Sequence, residues 1–594
     1  MRSKMFLAMV AAAVSIMTAC MKDDTTNSFT YTGGQASYGD GNNAGGSAST
    51  ASLGSGDLAS FTVEIDKTTS EPATTATAYY PEAEDNLDDA INSSDFSTEV
   101  SIDVANPTTG SVNGVTISSE NGNIVCNHGD NKVCYVLSGT TTNGSVTIVG
   151  NKKCEVKLNG VSITSPDSAA LNILSKKRAF LYLADGTTNT LTDTQSSNEH
   201  KGALYAKGKL LVHGTGVLNV YGRHNNAIHS ADYIIFNKGV NIYANSTANH
   251  GVKANDGIFI NGGILNVEVS AAAAKAINCE SDIIVNGGRT TAITTGNGAY
   301  DADEQDAKGS AAMKCDGNFT LNGGTVRLMS SGTGGKGLNA DGTATFNDGT
   351  IYVDTEGNQY SYSSRQTAKP KGIKSDGNLT INGGSVTVRT SGTYAEGIES
   401  KGELAITGGS VAVYSRQDDA INSASTFTIS GGYTLGYSSG NDGLDANGNF
   451  YIKGGTVYAI GSSSPEVAID ANTEGGYKLY VQGGTLIAVG GLESGAQLSQ
   501  ACYQANSWSR STWYSVTTGS DVIAFQTPAS GGNGLVVSAA STPALTGGVS
   551  VSGGTVCFGG LGYANGTVSG GSTTSLSSYS GGGGMGGMGG GGRW

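Results

Sequence analysis

One stretch decides the architecture: Lys371-Gly372-Ile373-Lys374-Ser375-Asp376-Gly377-Asn378-Leu379-Thr380-Ile381-Asn382-Gly383-Gly384-Ser385-Val386-Thr387-Val388. It holds three short runs whose apolar residues alternate with polar ones (Ile373 with Ser375, Leu379 with Ile381, Val386 with Val388). A period of two places each pair on one face of a strand. The runs are separated by Asp-Gly-Asn and Asn-Gly-Gly, which are turn chemistry. Three strands in fewer than about 30 residues cannot close a propeller blade, and the Leu-rich pattern of horseshoe repeats is absent.

Working outward, the unit recurs. Its apolar anchor falls at Leu204, Ile228, Val252, Ile277, Met313, Leu338, Ile373, Ile398, Ile421, Leu444 and Ile469, at spacings of 24, 24, 25, 36, 25, 35, 25, 23, 23 and 25. The two long spacings hold polar insertions at 297–308 and 357–370. A small residue follows two places after each anchor, among them Cys279, Cys315, Ser375, Ser400 and Ala446. These features predict an all-β chain: a right-handed parallel β-helix with about 23–25 residues per coil. The expected organisation is a signal peptide at 1–19, a lipid-anchor stalk and polar linker at 20–100, the β-helix at 101–490 with irregular first coils, a β-rich C-terminal cap at 491–579 and a Gly/Met tail at 580–594. The cap is expected to hold Trp508, Trp513 and Tyr514 in its core, with a platform on which sugar rings stack as the other reading of the same cluster.

Composition agrees. Of 594 residues 91 are glycine and only 8 proline, and charged residues make up 14%. Such a chain builds few long helices and is not collagen. The net charge of −15 gives no long-range attraction for phosphate backbones, so nucleic acid is not an expected partner. The start, Met1-Arg2-Ser3-Lys4 followed by an apolar run to Met17, has the layout of a secretory signal peptide. It closes on Thr18-Ala19-Cys20, which resembles a lipobox, and Met21-Lys22-Asp23-Asp24 resembles the surface-export signal of Bacteroidota lipoproteins. Cys20 is therefore the expected lipidation site, anchoring a monomer at the outer membrane facing outward. Seven cysteines remain; Cys126 and Cys134 flank a possible hairpin and are candidates for a local disulfide, whereas Cys279 and Cys315 read as buried free thiols.

The coil register also sorts the polar residues. One place after and two places before the anchors come Lys253, Lys275, Lys314, Lys336, Lys371 and Lys374, then Glu396, Glu399, Asp419, Asp442, Asp445 and Asp470, with Asp418 and Glu466 beside them in the acidic coils. The lysines are candidates for pairing with the carboxylates of an acidic glycan. Carboxylates on adjacent coils stand about 4.8 Å apart and repel unless a cation joins them, which makes the acidic set a candidate calcium site. A second, weaker calcium candidate is Asp301, Asp303, Glu304 and Asp306 in the first insertion. The residue before each anchor is Gly or Ala throughout, and strict alternation would put it outside, as a side-chain-free trough for an extended sugar chain; a tight corner that excludes bulk is the other reading.

Residues 161–193, above all Phe180-Leu181-Tyr182-Leu183-Ala184-Asp185-Gly186-Thr187, together with the coils at 371–377 and 441–447 and the Gly/Met tail, resemble a bacterial carbohydrate-binding β-helix family whose type is a clostridial cellulose- and pectin-binding surface protein. The resemblance implies a calcium-bearing right-handed β-helix that binds cellulose-like or acidic glycans and has no catalytic residues. The alternatives are a calcium-dependent pectate lyase with Lys371 or Lys374 as base, and an adhesive surface protein without a defined glycan.

Overall fold

The computed structural model describes residues 63–65, 71, 76–81, 96–175, 177–196 and 198–581. Cys20, the signal peptide and nearly all of the tail lie outside these residues. The described chain is all-β, with a short 3-10 turn at Phe558–Gly560. It forms a β-helix of about 15 turns.

Each coil contributes three strands. In the coil quoted above these are Lys371–Ser375, Leu379–Ile381 and Ser385–Thr390, and we name the ladders they join the front, second and third sheets. The front ladder has 15 strands; the second and third are joined into one 31-stranded sheet, because Val133–Thr141 and Cys154–Ser165 run through the corner between them. Every anchor pairs with the next in parallel register, Leu204 with Ile228, Ile373 with Ile398, Ile421 with Leu444. The column reaches further than the sequence repeat, upstream to Leu171, Val146 and Ile124 and downstream to Leu492. The irregular coils at 101–200 are thus coils of the same helix.

The residue before each anchor is not outside. Ala203, Ala227, Ala276, Ala312, Ala420 and Ala468 are fully buried. A Cβ at Gly251, Gly337, Gly372 or Gly397 would meet Cγ1 of Val267, Val353, Val388 or Val413 at 2.1–2.4 Å. Those valines share one column of the third sheet. Where that column carries Ala244, Ala292 or Gly436, the front sheet carries Ala227, Ala276 or Ala420. The strand bends at this position, alternation fails, and the small residues make room for core valines. The trough reading is therefore overturned.

At the corner between second and third sheets the turns interlock. Asn286, Asn322, Asn347 and Asn382 each donate Nδ2 to the Oδ1 of the asparagine one coil before, from Asn261 onward, at 2.8–2.9 Å. The preceding segment docks on the same corner: Glu71 accepts from the amides of Gly239 and Gly263 at 2.8 and 2.6 Å, and the backbone of Tyr79 exchanges bonds with Asn261.

The ends are covered, as an open strand edge requires. At the start the antiparallel strands Gly110–Val112, Val115–Glu120 and Asn123–Asn127 lead into the first parallel pair. At the end Leu535–Ser538 pairs antiparallel with Thr485–Val489. A six-stranded antiparallel sheet then folds back over Tyr414, Tyr437 and Tyr458 on the outside of the third sheet. Tyr514 is in the core of this cap, Trp508 packs against it, and Trp513 sits on Tyr563.

All seven described cysteines are free and buried. Cys279 and Cys315 lie side by side in register. Cys126 and Cys134 form no disulfide: Cys126 points into the coil interior, whereas Cys134 joins an outer cluster with Phe96 and Phe180. Burial pushes both thiols up to about 12.

Gly337→Ala places a methyl against Val353 and the Gly372 carbonyl, at 2.1 and 2.6 Å. It is expected to lower stability by about 1–3 kcal/mol, read from the urea midpoint. The outward-facing Thr387→Ala should change it by less than about 0.5 kcal/mol.

Candidate functional site

The bend before each anchor turns two positions of every front strand outward, the second before the anchor and the first after it. Read coil by coil, the outer front face carries Asn226 and His229, His250 and Lys253, Lys275 and Asn278, Ala311 and Lys314, Lys336 and Asn339, Lys371 and Lys374. It continues with Glu396 and Glu399, Asp419 and Asn422, Asp442 and Asp445, then Asp470 and Glu493. The structure thus brings the residues expected from sequence onto one face, basic in the middle and acidic towards the cap.

The acidic half is more enclosed than a solvated surface. Glu396, Glu399, Asp419 and Asp442 are only 8%, 4%, 6% and 8% exposed. The carboxylate oxygens of Glu396, Asp418 and Asp419 lie within 4.8 Å of one another. Backbone amides satisfy part of the stack: Asp419 Oδ1 accepts from the amide of Asp442 at 3.1 Å, and Asp442 Oδ1 from that of Val467 at 2.6 Å. Lys371 Nζ reaches Glu396 Oε1 at 2.8 Å and Glu399 Oε2 at 3.3 Å, and Lys401 pairs with Glu399. Glu396 Oε2 is buried with no hydrogen-bond donor among the described residues.

Burial, then the neighbouring carboxylates, push these groups up. Burial first, then Asp445 and Asp442, raises Asp419 well above the usual carboxylate range. Burial and then Asp470 raises Asp442 to about 9. Burial and then Glu396 raises Asp445 to about 7. Burial and the hydrogen bond with Asp470 raise Glu493 to about 7. Burial acts on Glu399 in the same direction, but Lys371 and Lys401 hold it below its ordinary value. The donor set is all oxygen, crowded and short of positive charge, which fits a hard divalent cation. Asp418 and Glu466, which the sequence places in the acidic stripe beside the expected ligands, join this cluster, as does Glu493, which the repeat does not reach. Asp418 projects from the corner before the strand, where coil register assigns no side, and Glu493 follows an anchor, Leu492, beyond the recognisable repeat.

The basic half is mostly paired. Lys253 meets Glu280 at 2.7 Å, Lys314 meets Asp316 and Asp341 (2.6 Å to the latter), and Lys374 meets Asp376. Two lysines differ. Lys275 Nζ donates to the carbonyl of Ala273 at 2.7 Å, and among the described residues neither Lys275 nor Lys336 has an acidic partner. They share one column with Ala311 between them. Burial, then neighbouring lysines, lowers each to about 8.

Both insertions form hairpins, Ala299–Asp301 with Asp306–Lys308 and Tyr360–Ser361 with Thr367–Ala368. They stand at the corner between third and front sheets. The first does not offer a free carboxylate cluster: Asp301 Oδ1 caps the amides of Asp303 and Glu304, Asp306 Oδ1 caps Ala307, and Glu304 pairs with Lys308.

With this face in view, comparison with known proteins defines the class. The chain matches the family described as "Carbohydrate-binding domain-containing protein" over residues 113–271, 241–392 and 390–557. It belongs to that family. A protein of Acetivibrio thermocellus bearing the same description is 31% identical over 107 residues, 16% of this chain and 37% of the relative, so this chain matches little more than a third of the relative's length. A solved structure described as a polysaccharide lyase-like protein from C. thermocellum, gadolinium derivative, aligns over 52% of this chain and 96% of its own, with 19% identity and a TM-score of 0.29.

The raised carboxylates carry a pH signature. The folded chain holds protons that the unfolded chain releases above about pH 4, so their stabilisation is present below that pH. It is lost as pH rises through about 7 for Asp445 and Glu493 and about 9 for Asp442. In chelator the melting temperature should fall from pH 5 to pH 9, and excess calcium should raise it most at the alkaline end. A flat or rising curve in chelator would contradict this account.

Proposed function

We propose that the protein is a non-catalytic cell-surface lipoprotein, anchored through Cys20, that binds polysaccharide on the outer front face with calcium in the acidic half. The observation that carries this reading is the enclosed stack of Glu396, Asp418, Asp419, Asp442 and Asp445, in which Glu396 Oε2 lacks a donor. Buried like charges are strongly unfavourable unless something compensates them. Family membership supports the carbohydrate ligand, and the start of the sequence supports the anchor and the outward location. Bound calcium would neutralise the stack and leave coordination positions for hydroxyl or carboxylate oxygens of the glycan. Asp419 and Asp442 orient the stack through the backbone bonds they accept, and Lys371 and Lys401 fix Glu399 in its charged form. Lys275 and Lys336, without acidic partners, remain to meet glycan carboxylates.

Pull-down on insoluble cellulose and pectin separates this reading from an adhesive protein without a glycan. Binding should be lost in chelator and weakened at least about tenfold by Asp419→Asn with Asp442→Asn; binding indifferent to chelator would remove calcium from the mechanism.

The alternative is a lyase. Its expected bases, Lys371 and Lys374, are both paired with carboxylates. Lys275 and Lys336 have no acidic partner among the described residues and are lowered to about 8, so the proton beside a uronate carboxylate would go to one of these two. Incubation with polygalacturonate and calcium, read by absorbance of unsaturated products, decides it. The binding account expects no rise.

A further inference from the structure

The corner between third and front sheets makes the same turn in several coils, and one residue in it has a left-handed backbone. Four places before the anchor, Gly334 has φ +70° and Ala273 +55°; the equivalent Tyr394 has φ +58°. Glycine accepts this conformation freely, whereas a bulky residue there is strained. Such outliers concentrate where a side chain is held for a purpose. The Tyr394 ring is not spent on packing, since the residue is 43% exposed.

Its surroundings make a wall. Lys369 Nζ stands 5.6 Å over the Tyr394 ring. The turn that holds Tyr394 is tied to the second hairpin, Thr393 donating its amide to Asn358 Oδ1 at 3.0 Å and Gln359 its amide to Thr393 Oγ1 at 3.3 Å. From that hairpin Tyr362, 58% exposed, stacks on Tyr300 of the first, with ring centroids 3.9 Å apart and planes 12° apart. The hairpins can approach because Tyr360 lies over Gly298 and Gly334, where a Cβ would be 2.7–2.9 Å from it. Lys336 Nζ lies at the foot of this wall, 3.4 Å from where a Cβ of Gly309 would stand.

We infer that Tyr394 and the stacked Tyr300–Tyr362 pair form an aromatic side wall. It receives the ring faces of an acidic polysaccharide whose carboxylates turn to Lys275 and Lys336. This rests on the glycan-binding reading and adds to it the contact surface. A tyrosine ring presents an apolar face and a polar tip, which suits the CH face and hydroxyl rim of a pyranose. The charge of the neighbouring lysines selects uronates over neutral sugars.

The test is titration calorimetry in excess calcium with soluble polygalacturonate and with a neutral cello-oligosaccharide, alongside thermal melts. Tyr394→Gly should melt at the same or a higher temperature, because the strain is relieved, yet bind polygalacturonate about tenfold more weakly. Tyr362→Ala should weaken binding similarly at unchanged melting temperature. Unaltered affinity in both variants overturns the wall while leaving glycan binding intact. Equal affinity of the native protein for neutral and acidic sugars overturns the ligand class. No binding of either glycan by the native protein overturns both this inference and the reading on which it rests.

Discussion

Everything in this molecule follows from the parallel hydrogen-bond register between successive coils. It sets each residue about 4.8 Å above its equivalent one coil earlier, so every choice of side chain is repeated into a column. Apolar columns become a continuous core, and the asparagine column becomes a chain of amide bonds from Asn261 to Asn382. A column of carboxylates becomes a stack of like charges. The register that stabilises the rod therefore creates the electrostatic problem on its front face.

The protein meets that problem unevenly. At the junction of the two halves Lys371 lies between Glu396 and Glu399 and compensates them. Further along, no lysine or arginine among the described residues pairs with Asp419, Asp442 or Asp445, and burial with the neighbouring carboxylates raises all three. Groups poised in this way exchange a proton for a metal ion readily. The basic half shows the mirror arrangement, with Lys275 and Lys336 lowered by burial and by each other's neighbours. The front face is thus charged on both sides of a neutral seam, and each side has unmet demand.

Much of this was legible in the sequence because the repeat gives the register and the register gives the neighbours. The anchors paired as their spacing implied, and the lysines and carboxylates fell on one face. Two things were not legible. Alternation predicted that the residue before each anchor points out, but the strand bends there, and only the close approach of Val353 or Val388 shows why glycine is required. Side chains at the corners have no register at all. The stacked Tyr300 and Tyr362 and the left-handed Tyr394 lie at corners, and their arrangement emerges only from the packing of the two hairpins. The Cys126–Cys134 pair fails because the expected hairpin does not form: Cys126 belongs to a front-sheet strand and Cys134 to a strand of the joined second and third sheet, facing opposite sides of the wall.

The most direct test of the central claim is a crystal structure of the protein grown with calcium and soaked with soluble polygalacturonate, with the metal located by anomalous scattering. The account predicts metal between the coils at Glu396, Asp418, Asp419, Asp442 and Asp445, and a sugar chain along the front face. Metal confined to other acidic residues, with glycan seated on the cap at Trp508 and Trp513, would contradict it.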